Sequence, residues 1–129
     1  MRKLKKVFLV DDDETSNFLN SLLIRSMKIT DKVEIAKNGK EALTKFVAFK
    51  THNGNEFPEL VLLDINMPVM DGFEFLEEFE KLYSVNHEEI KIVMLTSSNS
   101  PKDIDKAKRF NIAGYINKPL TEEKLQKLI

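Results

Sequence analysis

The chain has 129 residues, of which 42% are hydrophobic and 32% charged, and a net charge of −1. That is enough for one domain with a single core, and the profile is neither disordered nor basic enough for a dedicated nucleic-acid binder. There is no cysteine, which excludes disulfides and thiolate metal sites, and no apolar run long enough for a membrane span or a signal peptide, so one domain over residues 1–129 in the cytoplasm is expected.

In chain order, Arg2, Lys3, Lys5 and Lys6 read as a solvated approach to a first strand, KVFLV at residues 6–10. Its continuous apolar character suits a strand covered on both faces. Residues 14–27 place Phe18, Leu19, Leu22, Leu23 and Met27 at helical spacing, with Asp13 as the cap. KVEIAK at 32–37 alternates with period two, as an edge strand does. Asn38 and Gly39 turn into a helix with Ala42, Leu43, Phe46 and either Phe49 or Val47 along one side. The connection FKTHNGNEFPE at 49–59 is long enough for a surface feature of its own. LVLL at 60–63 is a second apolar strand, followed by a helix capped by Asp71 and striped by Phe75, Leu76, Phe79 and Leu82. His52 and His87 fall in loops and read as solvated. IKIVML at 90–95 is a third apolar strand, and S-P-K-D at 100–103 predicts a capping box from Ser100 and Asp103 with Pro101 at the first helical position. GYIN at 114–117 is a short strand, and Thr121 caps a final helix.

Five strand–helix repeats predict an α/β fold with a parallel sheet. Ligands in such sheets sit beyond the carboxyl ends of the strands. There the chain places Asp11 and Asp12, then Asp64, Thr96 and Lys118. Taken singly, each residue reads as a cap, a turn residue or a solvated lysine. As a set they exceed what capping requires. Two like charges about 4 Å apart repel by about 4 kcal/mol at an effective dielectric of 20, so a carboxylate cluster calls for a cation. All-oxygen donors suit Mg²⁺, with Mn²⁺ as the alternative. A carboxylate can also take a phosphoryl group, with a lysine and a hydroxyl to meet its charge.

FLVDDDE, LVLLDINMPVMDG, IVMLTSS and GYINKPLT together resemble the receiver domain of bacterial two-component response regulators, along essentially the whole chain. The resemblance implies a doubly wound, flavodoxin-like sheet of order 2-1-3-4-5 with five helices. It implies Asp64 as phosphoacceptor, Asp11 and Asp12 as the acidic pair, and the Asn66 backbone carbonyl completing a Mg²⁺ shell. Thr96 and Tyr115 match the switch pair, Lys118 the phosphate-pairing lysine, and Lys118-Pro119 a cis peptide. Gly72 reads equally as a turn glycine. Ser97 is small enough to leave a path to Asp64, and Asn66 and Ser98 flank that path. The implied partners are a sensor histidine kinase or histidine phosphotransfer protein and an unidentified downstream protein, with no nucleic acid or membrane. The implied state is a monomer or a phosphorylation-promoted dimer. The final helix is short and no output domain follows, so a stand-alone regulator or relay intermediate is expected, catalysing only its own phosphorylation and slow dephosphorylation. Two rivals stay open: a binding module without a phosphorylation cycle, and an aspartate-nucleophile phosphatase, disfavoured because Asn66 stands where that class carries a general acid.

Overall fold

The computed structural model describes residues 3–51, 54–83 and 89–129; Arg2, His52 and His87 lie outside them. Strands β1 (Val7–Val10), β2 (Val33–Ala36), β5 (Leu60–Leu63), β6 (Lys91–Thr96) and β7 (Gly114–Asn117) form a parallel sheet in the order β2-β1-β5-β6-β7. This is the expected order, and the alternating strand β2 lies at an edge. The long connection forms its own two-stranded antiparallel ladder, β3 (Lys50–Thr51) with β4 (Gly54–Asn55).

Period-two alternation sends successive side chains of each central strand to opposite faces. Phe8, Val10, Val61, Leu63, Ile92 and Met94 face one core, against α2 (Gly39–Phe49), α3 (Gly72–Leu82) and α4 (Pro101–Ala107). Val7, Leu9, Leu60, Leu62, Val93 and Leu95 face the other, against α1 (Glu14–Ser26) and α5 (Glu122–Gln126). The first core is aromatic: Phe46 lies 5.6 Å from Phe8, 5.0 Å from Phe79 and 5.8 Å from Phe57, centroid to centroid. Phe49 is buried and Val47 exposed, which settles the register of α2.

Three caps form as expected. Asp13 accepts from the Thr15 and Ser16 N–H groups, Asp71 and Glu74 complete a capping box, and Thr121 accepts from Lys124. Three expectations fail in whole or in part. Ser100 makes no side-chain cap, and the Asp103 carboxylate, expected to close the box on the Ser100 N–H, accepts from the Ser98 hydroxyl instead, while that N–H donates to Ser98 Oγ. In α1 Leu23 and Met27 of the expected stripe pack against the core, but the fully buried residues are Asn17, Asn20 and Ile24, and Phe18, Leu19 and Leu22 are 62%, 57% and 51% exposed. Positions 17, 20 and 24 also follow helical spacing, and the two asparagines hid that face among polar residues. Leu82 is likewise exposed, and Phe73 is buried on α3 instead.

Candidate functional site

In register, Val10 pairs with Leu63, so the next residue of each strand, Asp11 and Asp64, stands at one level beyond the sheet. The ladder continues through them: the Asp64 N–H donates to Val10 O at 2.9 Å and the Asp11 N–H to Ala36 O at 3.0 Å. Farther along, Thr96 closes β6 opposite Asn117, and the Lys118 N–H donates to Thr96 O at 2.9 Å. Four separated segments thereby converge on one point. The Lys118-Pro119 peptide is cis, as expected.

Asp11, Asp12 and Asp64 each offer a carboxylate oxygen, and these lie within 4.8 Å of one another. Asp11 and Asp64 are buried and Asp12 is exposed. Lys118 Nζ meets Asp11 at 2.6 Å and Asp64 at 3.7 Å. Thr96, with no exposed surface, closes the adjacent strand beside Asp64, and the Ile65 N–H donates to Asp64 Oδ1 at 2.8 Å.

Burial, and next the charge of Asp11, push the Asp64 carboxyl above its ordinary value; Lys118, Thr96 and the Ile65 N–H pull it partly back. Burial works to lower the Lys118 ammonium, but its bond to Asp11 and the charges of Asp64, Asp11 and Asp13 outweigh this and hold it above the ordinary lysine value. Such opposed shifts are expected where one cation faces several carboxylates in a partly dry site. Hard oxygen donors and one exposed member make this trio a fit for Mg²⁺, which keeps waters of its own.

The loop that carries Asp64 is held by close backbone approach. Gly72 lies so near that a Cβ there would stand 2.3 Å from the Asp64 carbonyl oxygen, and its N–H donates to Ile65 O at 2.8 Å. Both readings of Gly72, backbone geometry and site, are one fact. Asn66 lies exposed on the same loop. Tyr115, half-buried, donates its hydroxyl to Ser98 O at 2.8 Å, and burial chiefly raises its phenol.

Two contributors lay beyond sequence reasoning. Asn17 is buried and donates to the Asp11 carbonyl at 2.8 Å, bracing the acidic loop. Asn117 donates to Ser98 O at 3.0 Å beside Tyr115. The signal for Asn17 was its place at helical spacing with Asn20 and Ile24; Asn117 had none.

Known proteins share this architecture. The family model for the response regulator receiver domain matches residues 7–129. The chain is 34% identical over 116 residues to the chemotaxis protein CheY of Halobacterium salinarum, covering 89% of this chain and 85% of that one. It is 29% identical over 123 residues to the probable methanogenesis regulatory protein FilR2 of Methanothrix harundinacea, covering 95% and 77%. The crystal structure of a two-component response regulator from Cytophaga hutchinsonii is 30% identical, with a TM-score of 0.89 over 98% of this chain and 95% of that one. Among the described residues no helix is long and apolar enough to cross a membrane.

Proposed function

The chain belongs to the family of response regulator receiver domains, and from that premise we propose that it is a cytoplasmic phosphorylation switch whose phosphoacceptor is Asp64. One observation carries the reading: a buried carboxylate that keeps two carboxylates, one ammonium and one hydroxyl within reach. A structural ion pair needs only one carboxylate for one lysine.

The donor is a phosphohistidine on a sensor kinase or phosphotransfer protein. An Asp64 carboxylate oxygen attacks phosphorus, the N–P bond breaks, and the imidazole leaves with the electron pair. Asp11, Asp12, Asp64 and the Asn66 carbonyl would hold Mg²⁺ (or Mn²⁺), which when bound would supply positive charge against the transferring group. Lys118 exchanges part of its contact with Asp11 for a phosphoryl oxygen, and the Thr96 hydroxyl turns to another. The exposed Phe18, Leu19 and Leu22 give the donor a place to dock. Leu19 lines a groove that continues through Leu23 to Lys118 and Pro119, at the edge of the site. Movement of Thr96 then reaches Tyr115 and the surface of α4, β7 and α5, where a downstream protein binds. Water slowly cleaves the acyl phosphate and resets the switch.

Intact mass after incubation with acetyl phosphate, with and without Mg²⁺, tests this on the wild type and Asp64→Asn. One added phosphoryl group that requires both the metal and Asp64 is the expected result. A wild-type chain that gains none overturns the reading and leaves a binding module in its place.

A further inference from the structure

The loop from β6 to α4 reads Ser97-Ser98-Asn99-Ser100 and contains no apolar side chain to anchor it by burial. Its shape must come from hydrogen bonds, and those converge on Ser98. The Ser98 N–H donates to Thr96 Oγ1 at 3.2 Å. The Ser98 carbonyl accepts from the Tyr115 hydroxyl at 2.8 Å and from Asn117 Nδ2 at 3.0 Å. The Ser98 hydroxyl donates to Asp103 Oδ2 at 2.6 Å and accepts from the Ser100 N–H at 3.4 Å. One residue thus joins the end of β6, the strand β7 and the first turn of α4.

The shortest of these bonds is a hydroxyl-to-carboxylate bond, the stronger, charge-assisted kind. It also takes the carboxylate that a capping box would turn to the Ser100 N–H, and that N–H goes to Ser98 Oγ instead. The other contacts at Ser98 depend on where that residue sits, and only Asp103 ties it to a helix.

We propose that Asp103 is a positioning residue of the switch: its grip on the Ser98 hydroxyl holds the Ser98 carbonyl where Tyr115 donates to it. The proposal rests on the roles given above to Thr96 and Tyr115. With the grip in place, Tyr115 is held on Ser98 before any phosphoryl group arrives. When the Thr96 hydroxyl turns toward a phosphoryl oxygen, Ser98 follows through its N–H, and α4 follows through Asp103.

The chain has two tyrosines, Tyr83 and Tyr115, so fluorotyrosine labelling gives one reporting resonance and one internal reference. In unphosphorylated protein, Asp103→Ala shifts the Tyr115 resonance by lowering the ratio of bound to released ring about tenfold, the size of one charge-assisted hydrogen bond. Tyr83 stays unmoved. Ser98→Ala gives the same shift, the double variant adds nothing further, and Asp103→Asn, whose carboxamide oxygen still accepts, restores most of the wild-type position. Uptake of a phosphoryl group from acetyl phosphate slows in Asp103→Ala and recovers in Asp103→Asn. An unchanged Tyr115 resonance in Asp103→Ala overturns the proposal, as does an equal displacement of Tyr83, which reports a general disturbance. The resonance is read before phosphorylation, so failure here is distinguishable from failure of Asp64 to accept a phosphoryl group, which the mass measurement reports separately.

Discussion

At the amino edge of the sheet Lys6 is buried, with its ammonium 3.8 Å above the Phe49 ring. Around it charges of both signs interleave: Lys32 faces Glu56 at 4.0 Å, and the Lys5 N–H donates to Glu59 at 2.7 Å. Burial lowers the Lys6 ammonium below its ordinary 10.5, and Glu34 and Glu56 restore part of that. At the carboxyl edge three carboxylates cluster, and the two buried ones, Asp11 and Asp64, share the Lys118 ammonium. Both edges bury a charge at some cost. At the amino edge neighbouring counter-charges offset it, whereas at the carboxyl edge like charges add to it and the backbone holds them in place. The imbalance that the amino edge avoids is retained at the edge where the proposed phosphoryl transfer would use it.

The strongest way to break the carboxyl edge is through that backbone. Gly72→Ala places a methyl group 2.3 Å from the Asp64 carbonyl oxygen, and main-chain atoms cannot yield as a flexible side chain does. Denaturant unfolding should show a loss of about 3 kcal/mol or more, accompanied by loss of phosphoryl uptake. Equal stability of Gly72→Ala and wild type would mean that the Asp64 loop is not held as described.

Asp64→Asn sharpens the contrast, because on the proposed reading it abolishes phosphoryl uptake while it adds stability. Its melting temperature should rise by about 4 °C at neutral pH, roughly 1 kcal/mol. The pH dependence follows from the raised Asp64 carboxyl. Between the ordinary 3.8 and the folded-state value, the folded chain binds the extra proton, so stability falls as pH rises through that window. The advantage of Asp64→Asn is therefore complete above the folded-state value and vanishes as pH falls to about 3.8. Thermal melts across that range read it directly, and a constant difference at all pH values would remove the electrostatic explanation.

The smallest effect belongs to the amino edge. Lys6→Met keeps an unbranched apolar side chain against Phe49 and removes the buried charge, so stability should change by less than about 1 kcal/mol, on the favourable side. Phosphoryl uptake should not change. The sign of the pH effect is opposite to that of Asp64. A lowered lysine costs stability while protonated, and the cost is relieved as pH rises from the folded-state value to 10.5. A large destabilisation in Lys6→Met would show instead that Glu34 and Glu56 depend on this ammonium as a paired charge.

Much of this was legible in order of residues. Val7 to Val10, Leu60 to Leu63 and Ile92 to Leu95 announce central strands, since a run apolar on both faces has nowhere else to go. The side-chain caps at Asp13, Asp71 and Thr121 were readable because each bond closes within three residues. Gly72 could be seen as important but not explained, since its reason is an approach to a carbonyl eight positions earlier in the chain. The box at Ser100 was misread for a related reason: Asp103 had a second serine within reach, and only the folded loop shows which one it takes. In α1 the apolar residues straddle two faces: Leu23 and Met27 lie toward the core, whereas Phe18, Leu19 and Leu22 do not.

What the sequence determined alone is whatever depends on short range and on composition: strand and helix positions, the parallel α/β class, and the residue types at each strand end. Tertiary structure decided which α1 face is buried, how Asp11 is braced by Asn17, and how Ser98 joins Thr96, Tyr115 and Asp103. Local propensity acts between neighbours in the chain, whereas those choices are made by groups brought together only when the sheet aligns its strand ends.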